Sequence, residues 1–157
     1  MASHRILDLT DSALVAYLIA QGAGTSDDTF PGKAVGEKPL PNTVCASDSW
    51  AVPDGQEYTG NSVVSATVTV SCAAFKEDET VTTATDDSAT RVAATFDPFY
   101  QADPQALGAA ISAEAQAAGL SFTCIAVRVT GGDRTIADAS WHDSITLELL
   151  CCPSALT

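Results

Sequence analysis

Residues 62–75, SVVSATVTVSCAAF, alternate without a break. Val64, Ala66, Val68, Val70, Cys72 and Ala74 fall on one side of an extended chain; Val63, Ser65, Thr67, Thr69, Ser71 and Ala73 fall on the other. Successive side chains of a strand point to opposite faces. An apolar row backed by a hydroxyl row is therefore the pattern of an antiparallel strand half buried against a core. Any fold for this chain has to cover one face of that strand and turn the Ser/Thr row toward water or a polar neighbour.

The flanking segments supply the cover. Residues 10–21, TDSALVAYLIAQ, predict a helix with Thr10 as cap, Asp11 at its positive end, and Leu14, Tyr17 and Leu18 on one face; Gly22 and Gly24 end it. Residues 5–9 either extend this helix backwards or form a separate arm. Residues 23–42 lack periodicity and hold Pro31, Pro39 and Pro41, which points to a contact arm or loop. A short strand is expected at 43–47 and turns at 53–61. Residues 76–85 read as an acidic, Thr-rich loop or ribbon tip. A helix is expected from about Asp86 to Asp97, with Ala89, Val92, Ala93 and Phe96 inward and Pro98 as its stop. Asp103-Pro104 is a cap followed by proline at the first helical position, starting a helix that runs to Ala118 through Leu107, Ala110, Ile111 and Ala115. Residues 120–130 and 144–152 are the remaining strands, separated by a linker or irregular hairpin at 133–142. The expectation is one α+β domain over residues 1–157, with a mainly antiparallel sheet of about four strands and helices packed on one face. Its anchors are Leu14, Leu18, Phe75, Phe96, Leu107, Ile111, Phe122, Ile145 and Leu147.

Composition narrows the function. The chain has 157 residues, 46% of them apolar, so a substantial core is within reach. Its formal charge is −13, and its seven Lys and Arg residues are scattered. Without a basic stripe to displace counterions from phosphates, direct nucleic-acid binding is not expected. The five cysteines (Cys45, Cys72, Cys124, Cys151 and Cys152) are odd in number, contain no CxxC pair and fall largely within expected strands. Buried free thiols and a reducing compartment fit them best. The first apolar stretch is broken by Asp8 and Asp11, so neither a signal peptide nor a membrane span is expected.

A search for chemistry returns no catalytic, cofactor-binding or metal-binding residues. Gly32-Lys33-Ala34 lacks the hydroxyl and the upstream glycine of a phosphate-binding loop, and Gly22-Ala23-Gly24 follows a helix with Asp27 where a dinucleotide site needs glycine. No G-x-S-x-G exists. His142 beside Asp143, Cys151 and Cys152 lacks the paired spacing of zinc ligands and reads as a locally bonded hairpin residue. Glu77, Asp78, Glu79, Asp86 and Asp87 lack the spacing of a calcium loop and read as a solvated acidic face. Trp50 and Trp141 read as core or interface residues rather than a stacking platform.

The order of elements, more than any motif, carries a resemblance. A helix (ALVAYLIAQG), a proline-bearing stretch, an acidic turn (DGQEYTGN) and the strand VVSATVTVSCAAF come first. A helix (PQALGAAISAEAQAAG), a strand (LSFTCIAVRV), a Trp-bearing link (GGDRTIADASWHD) and a closing strand (SITLELLCC) follow. Over nearly its whole length the chain resembles the tail-terminator (tail-completion) proteins of long-tailed bacteriophages. That resemblance implies a non-enzymatic virion protein without cofactors. It would be assembled in the host cytoplasm as a homo-oligomer, a hexameric ring at the head–tail junction. The implied partners are the tail-tube protein and a head-closure or neck protein, with no membrane. Genomic DNA would pass through an acidic lumen without specific binding. In such a ring Arg5, Lys33, Lys38, Arg91, Arg128 and Arg134 would serve partly as inter-subunit partners. Another neck component (head-closure or connector protein) and a small soluble binding module built on residues 23–42 and the tryptophans are the alternatives.

Overall fold

The computed structural model describes residues 2–32, 42–52, 63–75, 82–101, 103–136 and 140–153. Among these residues three helices, α1 (Ala2–Ala20), α2 (Thr82–Gln101) and α3 (Pro104–Ala117), pack on a mixed sheet. Its five strands are β1 (Thr29–Pro31), β2 (Asn42–Ala51), β3 (Val64–Phe75), β4 (Phe122–Ile136) and β5 (Ser140–Pro153), in the order β1-β2-β3-β5-β4. The fold is α+β, as the sequence leads one to expect, with five strands rather than four. The extra one is β1, a three-residue strand parallel to β2; every other pairing is antiparallel. It lies inside the segment expected to be an arm or loop at 23–42, and residues 33–41 of that segment lie outside the described residues.

The β3 alternation holds in space. Val64, Ala66, Val68, Val70 and Cys72 are buried, and they share one core cluster with Ile145, Leu147, Leu149 and Cys151 of β5. Leu14 and Leu18 of α1, Phe96 and Phe99 of α2, and Leu107 and Ile111 of α3 join the same cluster, so all three helices cover the same face. Of the expected anchors, all but Phe75 are buried; the side chain of Phe75 lies outside the described residues.

Three helix expectations are corrected. α1 begins at Ala2, so residues 5–9 continue the helix, and Thr10 is an interior residue whose hydroxyl donates to the Ile6 carbonyl at 2.8 Å. α2 does not stop at Pro98 but runs through it to Gln101. An interior proline removes a backbone bond and costs about 3 kcal/mol. Burial of Phe96 and of Phe99, whose ring meets Tyr17 at a centroid distance of 5.9 Å, offsets that cost. The phase of α2 accordingly turns Thr95, Phe96 and Phe99 inward and leaves Ala93 exposed. α3 starts as expected, with the Asp103 carboxylate accepting the Ala106 N–H at 3.2 Å and Pro104 in the first turn. Its last expected inward residue, Ala118, is exposed; Gly108 and Ser112 are buried instead.

The strands outrun their expected ends. β2 extends to Ala51 past an irregularity between Ser47 and Ser49, and β4 extends to Ile136 past bulges at Cys124/Ala126 and Val129/Gly131. β5 runs from Ser140, so residues 133–136 and 140–142 of the expected linker are paired strand, Arg134 opposite Asp143 and Thr135 opposite His142.

The outward sides of β2 and β4 are partly sealed, β2 by the β1 segment and a side chain, β4 by side chains. On β2, Thr43 N–H donates to the Asp28 carbonyl at 2.8 Å, and the Cys45 carbonyl accepts from Gly32 N–H at 2.7 Å. The next outward group, the Ser47 N–H, donates to the Asp11 carboxylate at 2.7 Å, and the Ser47 hydroxyl donates to the same oxygen at 2.6 Å. Asp11 is thus a buried tie between α1 and β2 rather than a charge at a helix start. Burial pushes its carboxyl above the usual range, and the bonds from Ser47 oppose the shift without cancelling it. On β4, the Ser112 hydroxyl oxygen accepts the Cys124 N–H at 2.6 Å, and its proton is shared between the carbonyls of Gly108 at 2.9 Å and Cys124 at 3.0 Å. The Gln116 amide donates to the Phe122 carbonyl at 3.4 Å. α3 therefore closes the first part of the β4 edge.

That closure depends on Gly108. A Cβ there would meet the Ile125 carbonyl carbon and oxygen at 2.7 Å and the Ala126 nitrogen at 3.0 Å. Gly108→Ala is expected to cost about 1–3 kcal/mol through overpacking, despite alanine's better helix propensity. Gly131→Ala, where nothing lies within 4 Å, is the control and should stay within about 0.5 kcal/mol. Urea unfolding of the two variants measures the difference.

Candidate functional site

With all helices on one side, the other side of the sheet is left as a continuous surface among the described residues. β3 contributes Ser65, Thr67, Thr69 and Ser71, all half-buried; β5 contributes Ser144, Thr146, Glu148 and Leu150; β4 contributes Thr123, Ala126 and Arg128. The hydroxyl row that the sequence assigns to water or a polar neighbour is the centre of this face. Its charges are few and largely satisfied. Arg128 donates to Glu148 at 2.9 Å across the strands, and Thr69 donates to Asp48 at 3.2 Å. At its β4–β5 end this face carries the exposed Asp133, opposite Ser144, whereas Arg134 holds the buried Asp143 on the covered side, opposite Cys72, with bonds of 2.5 and 3.0 Å. For a chain of formal charge −13, this is a face with little net charge.

The covered side holds a different polar group. Arg91 on α2, with only 11% of its side chain exposed, donates to the Asp28 carboxylate at 3.3 Å, to the Asp28 carbonyl at 3.2 Å and to the Thr43 hydroxyl at 2.9 Å. It pins α2 to the β1–β2 corner. Within its own chain the two terminal nitrogens of the Arg91 guanidinium have these partners, while Nε is buried without one. Arg128 and Arg134 also have partners within the chain, but their side chains stay 67% and 53% exposed. The Arg5 side chain, Lys33 and Lys38 lie outside the described residues.

Burial alone raises the Asp28 carboxyl; the Thr25 N–H at 2.8 Å, Arg91, and the Thr29 hydroxyl at 3.0 Å outweigh it and hold the group below its ordinary range.

All five cysteines are free; four are buried and Cys152 is half-buried. Burial pushes the thiols of Cys124 and Cys151 up to about 12, so both stay protonated at neutral pH and neither is activated. Among the described residues, no group of three or more His, Cys, Asp or Glu side chains could hold a metal ion. His142 is exposed on β5, between Ala73 and Thr135, while Cys151 sits far along the same strand on the core side; the two do not converge. Trp50 is half-buried and packs against the core. Glu77, Asp78 and Glu79 and the side chains of Asp86, Asp87 and Trp141 lie outside the described residues. Among the described residues, no helix is long and apolar enough to cross a membrane.

Two features escape a reading by sequence. One is the Arg91–Asp28 tie, which joins residues 63 positions apart. The other is a shallow cleft of about 220 Å³ beside β4, lined by Pro104, Ala126, Val127, Arg128, Glu148 and Leu150.

No protein-family model matches the chain, and no curated protein matches it significantly.

The Asp28 environment gives a signed pH dependence. A carboxyl depressed in the folded state adds stability at neutral pH that is lost as pH falls below the unfolded value of 3.8 and through the folded one. Asp28→Asn should therefore lower the urea midpoint at pH 7, and its deficit should shrink as pH falls below 3.8 and through the lower folded-state value, where wild-type Asp28 becomes protonated.

Proposed function

We propose that this protein is a non-enzymatic virion subunit that assembles into a closed ring, a hexamer, at the head–tail junction of a long-tailed bacteriophage. There it ends the tail tube and docks the tube to the neck. The observation that carries this reading is the one-sided sheet, with helices massed on one face and a low-charge hydroxyl face left for neighbours in a chain of formal charge −13. A subunit that must meet copies of itself despite such a charge needs a surface where like charges do not oppose each other. The remaining acidity suits a channel through which DNA slides without sticking, because carboxylates repel phosphate. The element order, from an N-terminal helix through the long alternating strand to the closing hairpin, fits the tail-terminator pattern as well.

Native mass spectrometry of the purified protein, alone and with tail-tube protein, tests the reading. The expected result is a ring of about six subunits that caps the tube and stops its growth. A chain that stays monomeric in both conditions would overturn it.

A further inference from the structure

Exposed large apolar side chains mark places where a soluble protein meets something. Among the described residues there are three: Tyr100 at 55% exposure, Ile125 at 42% and Leu150 at 37%. Leu150 lines the cleft beside β4, and Ile125 precedes its lining residue Ala126 on the same strand. The cleft lies where the cover given by α3 ends: Ser112 and Gln116 close the edge at Cys124 and Phe122, and Pro104 at the start of α3 forms one wall. At about 220 Å³ it is smaller than the 300 Å³ or more usual for small-molecule sites, and it suits one side chain. Its walls are mostly apolar, and Arg128 supplies a guanidinium at the rim. Glu148 takes one of its N–H groups at 2.9 Å, and the planar group carries further donors.

Tyr100 has the complementary chemistry. It projects from the last turn of α2, three residues after the exposed Asp97, so ring and carboxylate share one side of the helix. An aromatic ring accompanied by a carboxylate fits an apolar cleft rimmed by a guanidinium. Both halves are exposed on this chain, and tyrosine and arginine are the residue types that most often dominate an interface.

We propose that the cleft of one subunit receives Tyr100 of a second copy of this chain, with Asp97 of that copy placed against Arg128. Knob and hole are different surfaces of one molecule, so the contact is head-to-tail, the kind that closes a ring when its rotation permits. The proposal rests on the ring reading and names the contact that builds it. It assigns Arg128 to the subunit boundary, where opposite charges set register and exclude wrong partners.

The test is native mass spectrometry with sedimentation of the wild type, Tyr100→Ala, Arg128→Asp, and Arg128→Asp combined with Asp97→Arg. Tyr100→Ala should weaken self-association roughly 30-fold or more, from the lost burial of one aromatic side chain. At concentrations below those at which the wild type assembles, its urea midpoint should equal the wild-type value, because the side chain is exposed in the subunit. Arg128→Asp should weaken association as well, and the combination with Asp97→Arg should recover it. A wild-type ring with Tyr100→Ala assembling at wild-type concentrations would overturn this contact and leave the ring reading standing. Loss of tail-tube binding alone in Tyr100→Ala, with the ring intact, would overturn the contact in the same way. A wild type that is monomeric under all conditions would overturn both.

Discussion

The pairing of β3 with β5 fixes everything else. It runs from Val64 opposite Cys151 to Phe75 opposite Ser140 without a register break. Val64, Ala66, Val68 and Val70 of β3 sit beside Cys151, Leu149, Leu147 and Ile145 of β5, and the hydroxyls of Thr67, Thr69 and Ser71 sit beside Glu148, Thr146 and Ser144. A slip of one residue would send the whole valine row to the open face and the serines and threonines into the core, which burial forbids. With this central pair locked, β2 and β4 add on either side and the helices have only one apolar surface to cover. The division into a closed face and an open face is thus a consequence of one alternating sequence.

The edges of the sheet show how the fold limits indiscriminate strand pairing. Unpaired strand edges invite aggregation. Here β1, Asp11, Ser112 and Gln116 each answer an outward backbone group. The tie through Asp11 buries a carboxylate at some cost, visible in its raised pKa. The gain is that α1 and β2 are held in one relative position. Arg91 does the same for α2, so both helices flanking the core are anchored to the β1–β2 corner by polar contacts as well as by packing.

Much of this was legible in the sequence where periodicity was strong. The β3 face assignments, the Asp103-Pro104 start of α3, and the apolar row Ile145, Leu147, Leu149 and Cys151 are local signals with one physical solution. Elements whose signals are weak or overridden were not legible. β1 is too short to show alternation, and its Thr29 and Phe30 become strand only because Asp28 and Gly32 meet β2. Pro98 reads as a stop because local cost is visible in sequence, whereas the burial of Phe99 that offsets it is tertiary. Residues 133–136, expected within a linker or irregular hairpin, continue β4 past the irregularity between Val129 and Gly131. The open face could be foreseen from the hydroxyl row. The cleft could not, because its walls come from α3, β4 and β5 together.

The central claim is that this surface serves a ring at one place on a tail. Electron microscopy of tail tubes assembled with the protein tests it most directly. The account predicts added ring density at one end of each tube and none along its length. Density distributed along the tube, or tubes with two bare ends at saturating protein, would contradict it.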